Sequence, residues 1–427
     1  AIRGHGGSTF LSLEDGTGAF QAYLKKDRVG EQVYDSFLET FDVGDFIQLR
    51  GVLFTTKKGE KTLEVADYKM LAKSLLPLPE KWHGLQDEEE RYRKRYLDLM
   101  FNKEVKKNFK TRAAIITALR EFLDKKGFLE VETPVLQNMY GGADAQPFTT
   151  HINAFDMDMY LRISLELPLK RLIVGGYEKV YELGRVFRNE GVDRMHNPDF
   201  TMLEFYWAYA DYKDMMKLTE RMFTHMLKEV FGTTKIKYED KTIDFKAPWP
   251  RVEYAELFRK YAKIDVMAMN KDALAKEAKK VGAKIDKSFS KARIADAIYK
   301  KVIRDKLQNP VFIIHYPAGT KPLAKLLDND DSKHGNFQLV AAGWELINAY
   351  TELNDPVEQK RIFDEQEGLF RKGLEDAQRM DLDYIEALEY GMPPATGFGL
   401  GIDRLTTLLT NSHSLRETIL FPTMKQK

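Results

Sequence analysis

The sequence predicts an α+β protein in two parts, a small β-barrel followed by a larger domain built on a mainly antiparallel sheet with flanking helices. Three observations predict it. Short strand-like runs broken by turns fill residues 1–75, and a proline-rich connector follows them. Beyond the connector, two blocks of strands are separated by one long, mostly helical stretch instead of alternating with single helices.

In the first part, Phe10-Leu11-Ser12-Leu13 runs into the turn Glu14-Asp15-Gly16-Thr17-Gly18, and Ala19-Phe20-Gln21-Ala22-Tyr23-Leu24 leaves it. Amphipathic helical spacing covers 31–41, strand returns over 46–54, and a hairpin turns at Lys57-Lys58-Gly59-Glu60. Several short strands with one intervening helix suit a five-stranded barrel of the OB type. The chain opens on Ala1 in strand-like sequence, so this barrel is expected to lack an N-terminal portion. Leu76-Pro77-Leu78-Pro79 is stiff, which makes residues 76–86 the expected linker.

The second part, residues 87–427, opens with a charge-dense helix over 87–100. A longer helix over 105–126 carries Phe109, Ala113, Ile116, Leu119 and Leu123 near helical spacing and stops at Lys125-Lys126-Gly127. A strand ending at Pro134 follows. Strands are expected to dominate 160–209, a helical insertion 212–305, and strands again 311–353. A glycine-rich run then enters a last helix over 403–410.

Bulk composition mainly excludes. Lys and Arg (66) nearly cancel Asp and Glu (65), so any RNA contact must come from local patches. The Lys-rich helices of 270–306 read as solvated faces. The absence of Cys removes disulfides and thiolate metal sites, and it fits a cytoplasmic location. No apolar run is long enough to span a bilayer, so no membrane association is expected. The opening segment, 4–8, is polar and glycine-rich, unlike a secretory signal.

Two carboxylates give the clearest chemical signal. Period-two alternation puts Glu204 on one face with Phe200, Met202 and Tyr206, and puts Glu352 on one face with Asn348 and Tyr350. Buried acids are costly unless a cation neutralises them. Neither run supplies a Lys or Arg on the same face, so the expected counter-charge is a substrate: a primary ammonium on an apolar stem, as in lysine.

Two further constellations accompany the acids. Val186-Phe187-Arg188-Asn189-Glu190, a polar loop and a strand beginning at Asp199 form a hairpin. Its Arg188 can grip a carboxylate or phosphate, and Phe200 offers a face on which a base stacks. Taken singly, these two read as a surface Arg and a core Phe. In Gly397-Phe398-Gly399-Leu400-Gly401-Ile402-Asp403-Arg404, alternate glycines let a ligand lie against the backbone. An Arg in the first turn of the following helix is matched by a bound phosphate.

Together these residues resemble the class II aminoacyl-tRNA synthetases, and within subclass IIb the lysyl-tRNA synthetases. Residues 127–134 look like motif 1, Phe187-Arg188-Asn189-Glu190 through Glu204 like motif 2, and Gly399-Leu400-Gly401-Ile402-Asp403-Arg404 like motif 3. Lysine-specific stretches at 77–85, 95–99, 169–172, 196–201, 349–356 and 389–394 extend the resemblance over the whole chain.

The resemblance implies an OB-type anticodon-binding barrel ahead of a class II catalytic domain, working as a homodimer through motif 1. It implies lysine activation with ATP and transfer to tRNA(Lys). Glu204, Glu352 and Tyr206 would take the ε-ammonium, with Tyr350 along the methylenes. Glu166 and the Gly142 carbonyl would take the α-ammonium, and Arg188 and Asn348 the carboxylate. For ATP, Arg188 would bridge the α-phosphate, and Phe200 and Arg404 would sandwich the adenine. Arg404 would also reach the γ-phosphate, with Glu190, His196, Asn197 and Gly399 around the nucleotide. Arg188 and Arg404 would be the catalytic pair.

Glu345 would ligate magnesium, with Glu352 and Gln338 as further candidates. The family usually carries a second ligating Glu where this chain has Gln338, so the site loses a negative charge. Glu345 also lies off the even-numbered face, which requires a bulge near Gly343. In the barrel, Arg3, Phe10, Gln21 and Glu60 would read the anticodon, Gly7 standing where a basic residue is frequent. Phe10 by itself reads as barrel core. Three rivals stay open at this point: a paralogue that lysylates protein, an aspartate or asparagine synthetase of the same subclass, and a non-catalytic tRNA-binding relative.

Overall fold

A computed structural model describes residues 1–79, 85, 87–286, 289–371 and 379–426. Most of the expected linker, with residues 80–84 and 86, lies outside them, as does part of the lysine-specific stretch at 77–85. The chain divides into two compact units, Ala1–Arg91 and Tyr92–Lys427.

In the first unit, β1 (Ile2–His5), β2 (Ser8–Glu14), β3 (Ala19–Lys25), β4 (Phe46–Thr55) and β5 (Lys61–Ala72) form one sheet in the order β1-β2-β3-β5-β4. The short α1 (Lys26–Val29) and α2 (Glu31–Thr40) lie between β3 and β4. Alternation along the strands turns Leu11, Ala22, Leu24 and Val65 inward, where Tyr34 and Phe37 of α2 pack on them.

The division falls within α3 (Glu88–Arg93), and the second unit goes on with α4 (Arg95–Phe101) and α5 (Lys103–Lys125). Next come the short β6 (Leu129–Glu130), β7 (Leu136–Gln137), β8 (Thr149–Ile152) and β9 (Met157–Leu161), then α6 (Glu166–Val174), β10 (Lys179–Phe187), β11 (Asp199–Ala208) and α7 (Tyr212–Phe231). The middle of the chain holds β12 (Lys235–Tyr238), β13 (Lys241–Asp244), β14 (Arg251–Glu253), α8 (Tyr254–Leu257), α9 (Lys271–Lys280) and α10 (Lys291–Ile298). It closes with β15 (Val311–Ile314), β16 (Leu326–Leu327), β17 (Asp330–His334), β18 (Asn336–Ala341), β19 (Trp344–Thr351), α11 (Pro356–Arg371), α12 (Leu382–Glu389), β20 (Ala395–Gly401) and α13 (Ile402–Leu409).

Eight strands make the main sheet, in the order β14-β15-β18-β19-β20-β11-β10-β6. Only the outer pairs, β14–β15 and β10–β6, run parallel. One face packs against α5 and α7, burying Leu203, Phe205, Phe398, Ile347 and Phe337 with Leu119, Met222 and Phe223. Asp211 caps α7 by accepting from Lys213 N and Asp214 N.

Two expectations shift here. The stretch 160–209 is not all strand, because α6 interrupts it. The helical region is also narrower than 212–305: α7 belongs to the sheet's own core and β14 is a strand of the sheet. The inserted helices start at Tyr254, and their core (Phe258, Leu274, Ile298, Ile303) meets Ile313 and Val340 at the edge of the sheet.

Candidate active site and anticodon face

The sheet face away from α5 and α7 builds the site. β11 contributes Phe200, Met202, Glu204 and Tyr206, and Gly401, Gly399 and Gly397 of β20 stand opposite the last three. Asn348 and Tyr350 of β19 stand opposite Gly399 and Gly397, and Gln338 of β18 opposite Asn348. Directly paired residues share a face, so the strip of glycines leaves an open floor between two walls of side chains. A cavity of about 340 Å³ results. Gly142, Glu166, Arg188, Glu190, His196, Asn197, Glu345 and Arg404 line it as well.

At one end lie the acids. Glu204 is 3% exposed, and its Oε1 accepts from Ser164 Oγ at 3.0 Å and Leu165 N at 3.1 Å. The Tyr206 hydroxyl donates to Oε2 at 3.4 Å. Burial, then the nearby charge of Glu166, raises the Glu204 pKa to about 7. Gly142 holds φ +83°, and a Cβ there would lie 2.8 Å from Ser164 Oγ and 2.9 Å from Glu166 Cβ.

The expectation that the protein supplies no cation is overturned. Lys170, fully buried on α6, places Nζ 2.6 Å from Glu166 Oε1 and pairs also with Glu352 Oε2. Its Nζ is 5.6 and 5.8 Å from the ring centres of Tyr350 and Tyr384. Burial by itself would lower the Lys170 pKa, but Glu166 and Glu352 raise it above the ordinary lysine value. Nor does Tyr350 offer only a flat ring, since its hydroxyl donates to Glu166 Oε1 at 2.6 Å.

Lys170 leaves the account unbalanced. Lys170 pairs with Glu166 and Glu352 but not with Glu204, so the three acids exceed it by two negative charges when all are ionised. Among the described residues Glu352 Oε1 has no hydrogen-bond partner, and a Cβ on Gly397 would lie 2.1 Å from it. Burial, only partly offset by Lys170, raises the Glu352 pKa as well. Glu204 and Glu352, both held above the ordinary carboxylate range, are ready to exchange a proton for a cation.

At the other end lie the cations. Arg188 follows β10; its Nε donates to Ile163 O at 3.2 Å and its guanidinium lies 5.2 Å from the Phe200 ring centre. Arg404, in the first turn of α13, donates to Glu345 O at 3.4 Å and lies 3.3 Å from His196 Nε2. Asp193 holds His196 through Nδ1 at 3.0 Å. Asn197 donates to Asp199 O at 2.7 Å, and its buried Oδ1 has no partner among the described residues.

On the outer face of the barrel, register aligns Arg3 with Phe10 and Phe10 with Tyr23. Phe10 is 37% exposed and turned away from the barrel core, 4.6 Å from Tyr23, which lies 6.2 Å from Phe54. Gln21 donates to Thr62 Oγ1 at 2.9 Å on the same face, and Glu60 is exposed in the adjoining turn.

Comparison with known proteins agrees with this geometry. Residues 87–425 match the family "tRNA synthetases class II (D, K and N)", and residues 1–71 match "OB-fold nucleic acid binding domain". The lysine–tRNA ligase of Pelotomaculum thermopropionicum is 51% identical over 428 residues, covering 100% of this chain and 84% of the relative. That of Moorella thermoacetica is 49% identical (100% and 87%), and that of Thermotoga maritima 46% (100% and 85%). The chain belongs to the lysine–tRNA ligases.

A lysine–tRNA ligase takes lysine, ATP and tRNA as substrates, and none of the three rival readings finds support in these relatives. Among the described residues of this ligase, no helix is long and apolar enough to cross a membrane. The bulge that Glu345 requires is present but displaced. Leu339 pairs with Ile347 while Val340 pairs with Glu345, so the extra residue is Leu346, beyond the Ala342–Gly343 turn.

The metal candidates fare unequally. Gln338 donates from Nε2 to Glu345 Oε1 at 2.9 Å, and its Oε1 accepts from the Tyr316 hydroxyl. Its only ligating atom is therefore occupied, and the Lys170 ammonium beside Glu352 opposes a metal there. Among the described residues, no group of three or more His, Asp or Glu side chains is set to hold a metal ion.

Sequence reasoning placed Lys170 in a lysine-specific stretch without giving it a role, and it missed Tyr23 and Phe54 and a pair that fixes the motif 3 helix. Asp403 is 2% exposed, accepts from Thr201 N at 2.7 Å and pairs with Arg112 Nη1 at 2.7 Å. Period-two counting from Leu24 would have put Tyr23 outside the barrel. Nothing in the local sequence announces the other contacts.

Proposed function

We propose that lysine lies across the glycine strip with its ε-ammonium against Glu204 and Glu352 Oε1 and Tyr206 beside it. Its α-ammonium lies against Glu166 and the Gly142 carbonyl, and its carboxylate against Arg188 and Asn348. The observation that carries this reading is the double negative excess of the acid cluster, which matches the two ammonium groups of the substrate. A neutral isostere would leave those acids unpaired, and rejection of roughly 10⁴-fold or more follows; loss of one methylene costs only about 1–3 kcal/mol.

ATP occupies the Arg188–Arg404 end, its adenine between Phe200 and the stem of Arg404. Glu190, His196 and Asn197 stand around the nucleotide, and Gly399 lets it approach the strand. A lysine carboxylate oxygen attacks the α-phosphorus, the bond to the β-phosphate oxygen breaks, and pyrophosphate leaves. The terminal tRNA hydroxyl then attacks the lysyl carbonyl and passes its proton to a phosphate oxygen of the adenylate, and the acyl–phosphate bond breaks to release AMP. No covalent enzyme intermediate is needed. Arg188 and Arg404 stabilise the charge that gathers on the phosphorus oxygens, and the fixed walls supply alignment.

One carboxylate at the phosphate end suits magnesium, which binds through few protein ligands plus phosphate oxygens. Glu345 would hold it. When bound, the ion supplies neutralisation of phosphate charge.

Arg3, Phe10, Gln21 and Glu60, on or beside one barrel face, support anticodon reading by stacking and polar contacts. The exposed Leu129, Val135 and Leu136 around motif 1 support a homodimer, and sizing by light scattering tests it. A cytoplasmic location accords with the cysteine-free sequence. Lysine-dependent ATP–pyrophosphate exchange over a panel of amino acids tests the pocket. Exchange with lysine and without tRNA is expected; exchange with another amino acid and none with lysine would overturn the reading.

A further inference from the structure

We propose that Lys170 is a specificity-determining residue, a built-in counter-ion that orients Glu166 and Glu352 and trims the pocket to the charge of its substrate. The inference rests on the lysine pocket proposed above and concerns a residue that does not itself line the cavity.

The geometry carries it. Lys170 stands one helical turn from Glu166 on α6, and its ammonium joins two carboxylates from different parts of the fold. One is at the start of α6, the other just past β19. Tyr350 closes the arrangement by donating to the same Glu166 oxygen that Lys170 holds. Each acid therefore gives one oxygen to Lys170. For Glu352 the remaining one, Oε1, lies at the gap left by Gly397.

The charge count follows. Glu166 and Glu204 line the cavity, and Glu352 stands beside Gly397; without Lys170 these three buried acids would have no buried lysine among them, and mutual repulsion would favour protonation further. With it, ionisation of all three as substrate enters leaves two negative charges for two ammonium groups, while Arg188 answers the substrate carboxylate. An acid cluster of three would also admit a more highly charged cation, which Lys170 repels.

The test uses the full-length enzyme, with exchange kinetics for lysine and for ATP and a melting curve for each variant. Lys170→Met is expected to raise the lysine KM about tenfold or more and leave the ATP KM within about twofold. Lys170→Met combined with Glu352→Gln removes one charge of each sign and restores the excess of two. It is expected to bind lysine better than Lys170→Met by itself. An unchanged lysine KM in a folded Lys170→Met, or a double variant no better than that single one, overturns the counter-ion role. Should Lys170→Met fail to fold, the double variant decides by comparison with Glu352→Gln: it must show the lower lysine KM. Glu204→Gln separates the two layers of the proposal, because a lysine KM it does not move faults the pocket, whatever Lys170 does.

Discussion

Gly397 stands opposite Tyr206 in the sheet, and a Cβ placed on it would lie 2.5 Å from the Tyr206 ring. The same atom would come 2.1 Å from Glu352 Oε1. No side-chain adjustment of a few tenths of an ångström accommodates that. Gly397→Ala is therefore expected to displace Glu352 or Tyr206 and raise the lysine KM in exchange assays by about tenfold or more, with a smaller change for ATP. Equal losses for both substrates would place the damage in the sheet as a whole.

Glu204 gives the lysine dependence a pH signature. With its pKa raised to about 7, it is protonated in the free enzyme below that pH and ionised above it. A cationic substrate prefers the ionised form, so kcat/KM for lysine should fall as pH drops through about 7. Glu204→Gln should remove that limb and raise the lysine KM. The stability effect has the opposite sign. A carboxyl whose pKa is raised on folding favours the folded state at low pH, and that contribution is lost as pH rises through about 7. Glu204→Gln should therefore help the melting temperature more at pH 8 than at pH 5.

Asp403 and Arg112 tie the motif 3 helix to the start of β11 and to α5. Asp403→Asn leaves the half-buried Arg112 charge without its ionic partner, while Thr201 Oγ1 still accepts from its Nη2, a loss of about 1–3 kcal/mol by denaturant titration. Arg404 is the next residue, so the ATP KM should rise more than the lysine KM.

Phe10 and Tyr23 form a tilted aromatic pair on the outside of the barrel, their ring centres 4.6 Å apart. Replacing either by Ala should raise the tRNA KM in charging assays by about tenfold, within the usual range for one lost base stack. Pyrophosphate exchange should be untouched. Loss of both activities would mean that the ring supports the barrel itself.

Gln338 and Glu345 are joined by an amide donor. Gln338→Glu turns that bond into a repulsion and should lower the melting temperature in a chelator. Magnesium with ATP should restore it, and the magnesium needed for half-maximal exchange should fall.

The barrel, the hairpin carrying Arg188 and the glycine strip were legible because each depends on local rules: alternation, turn residues and backbone approach. That Glu204, Asn348 and Tyr350 point the same way was legible for the same reason, strand period two. The counter-charge was not. Lys170 reaches the acids from α6, a helix hidden in a stretch whose apolar runs read as strand, and no count along β11 or β19 reveals a lysine arriving from outside both. The helical insertion was drawn too wide for a related reason. α7 and the inserted helices share a periodicity, and only the Met-rich face of α7 packing under the sheet assigns it to the core.

A strand can only deal its side chains left and right in turn. Glu345 and Asn348, three positions apart, look into one chamber because Leu346 adds an uncounted step between them. The pairing of residues 343–348 thus matters as much as their identity. Excising Leu346 would leave Glu345 and Asn348 two positions apart and still on one face, whereas straightening the bulge with Leu346 in place would bring Trp344 round toward the cavity and bury the acid among hydrocarbons.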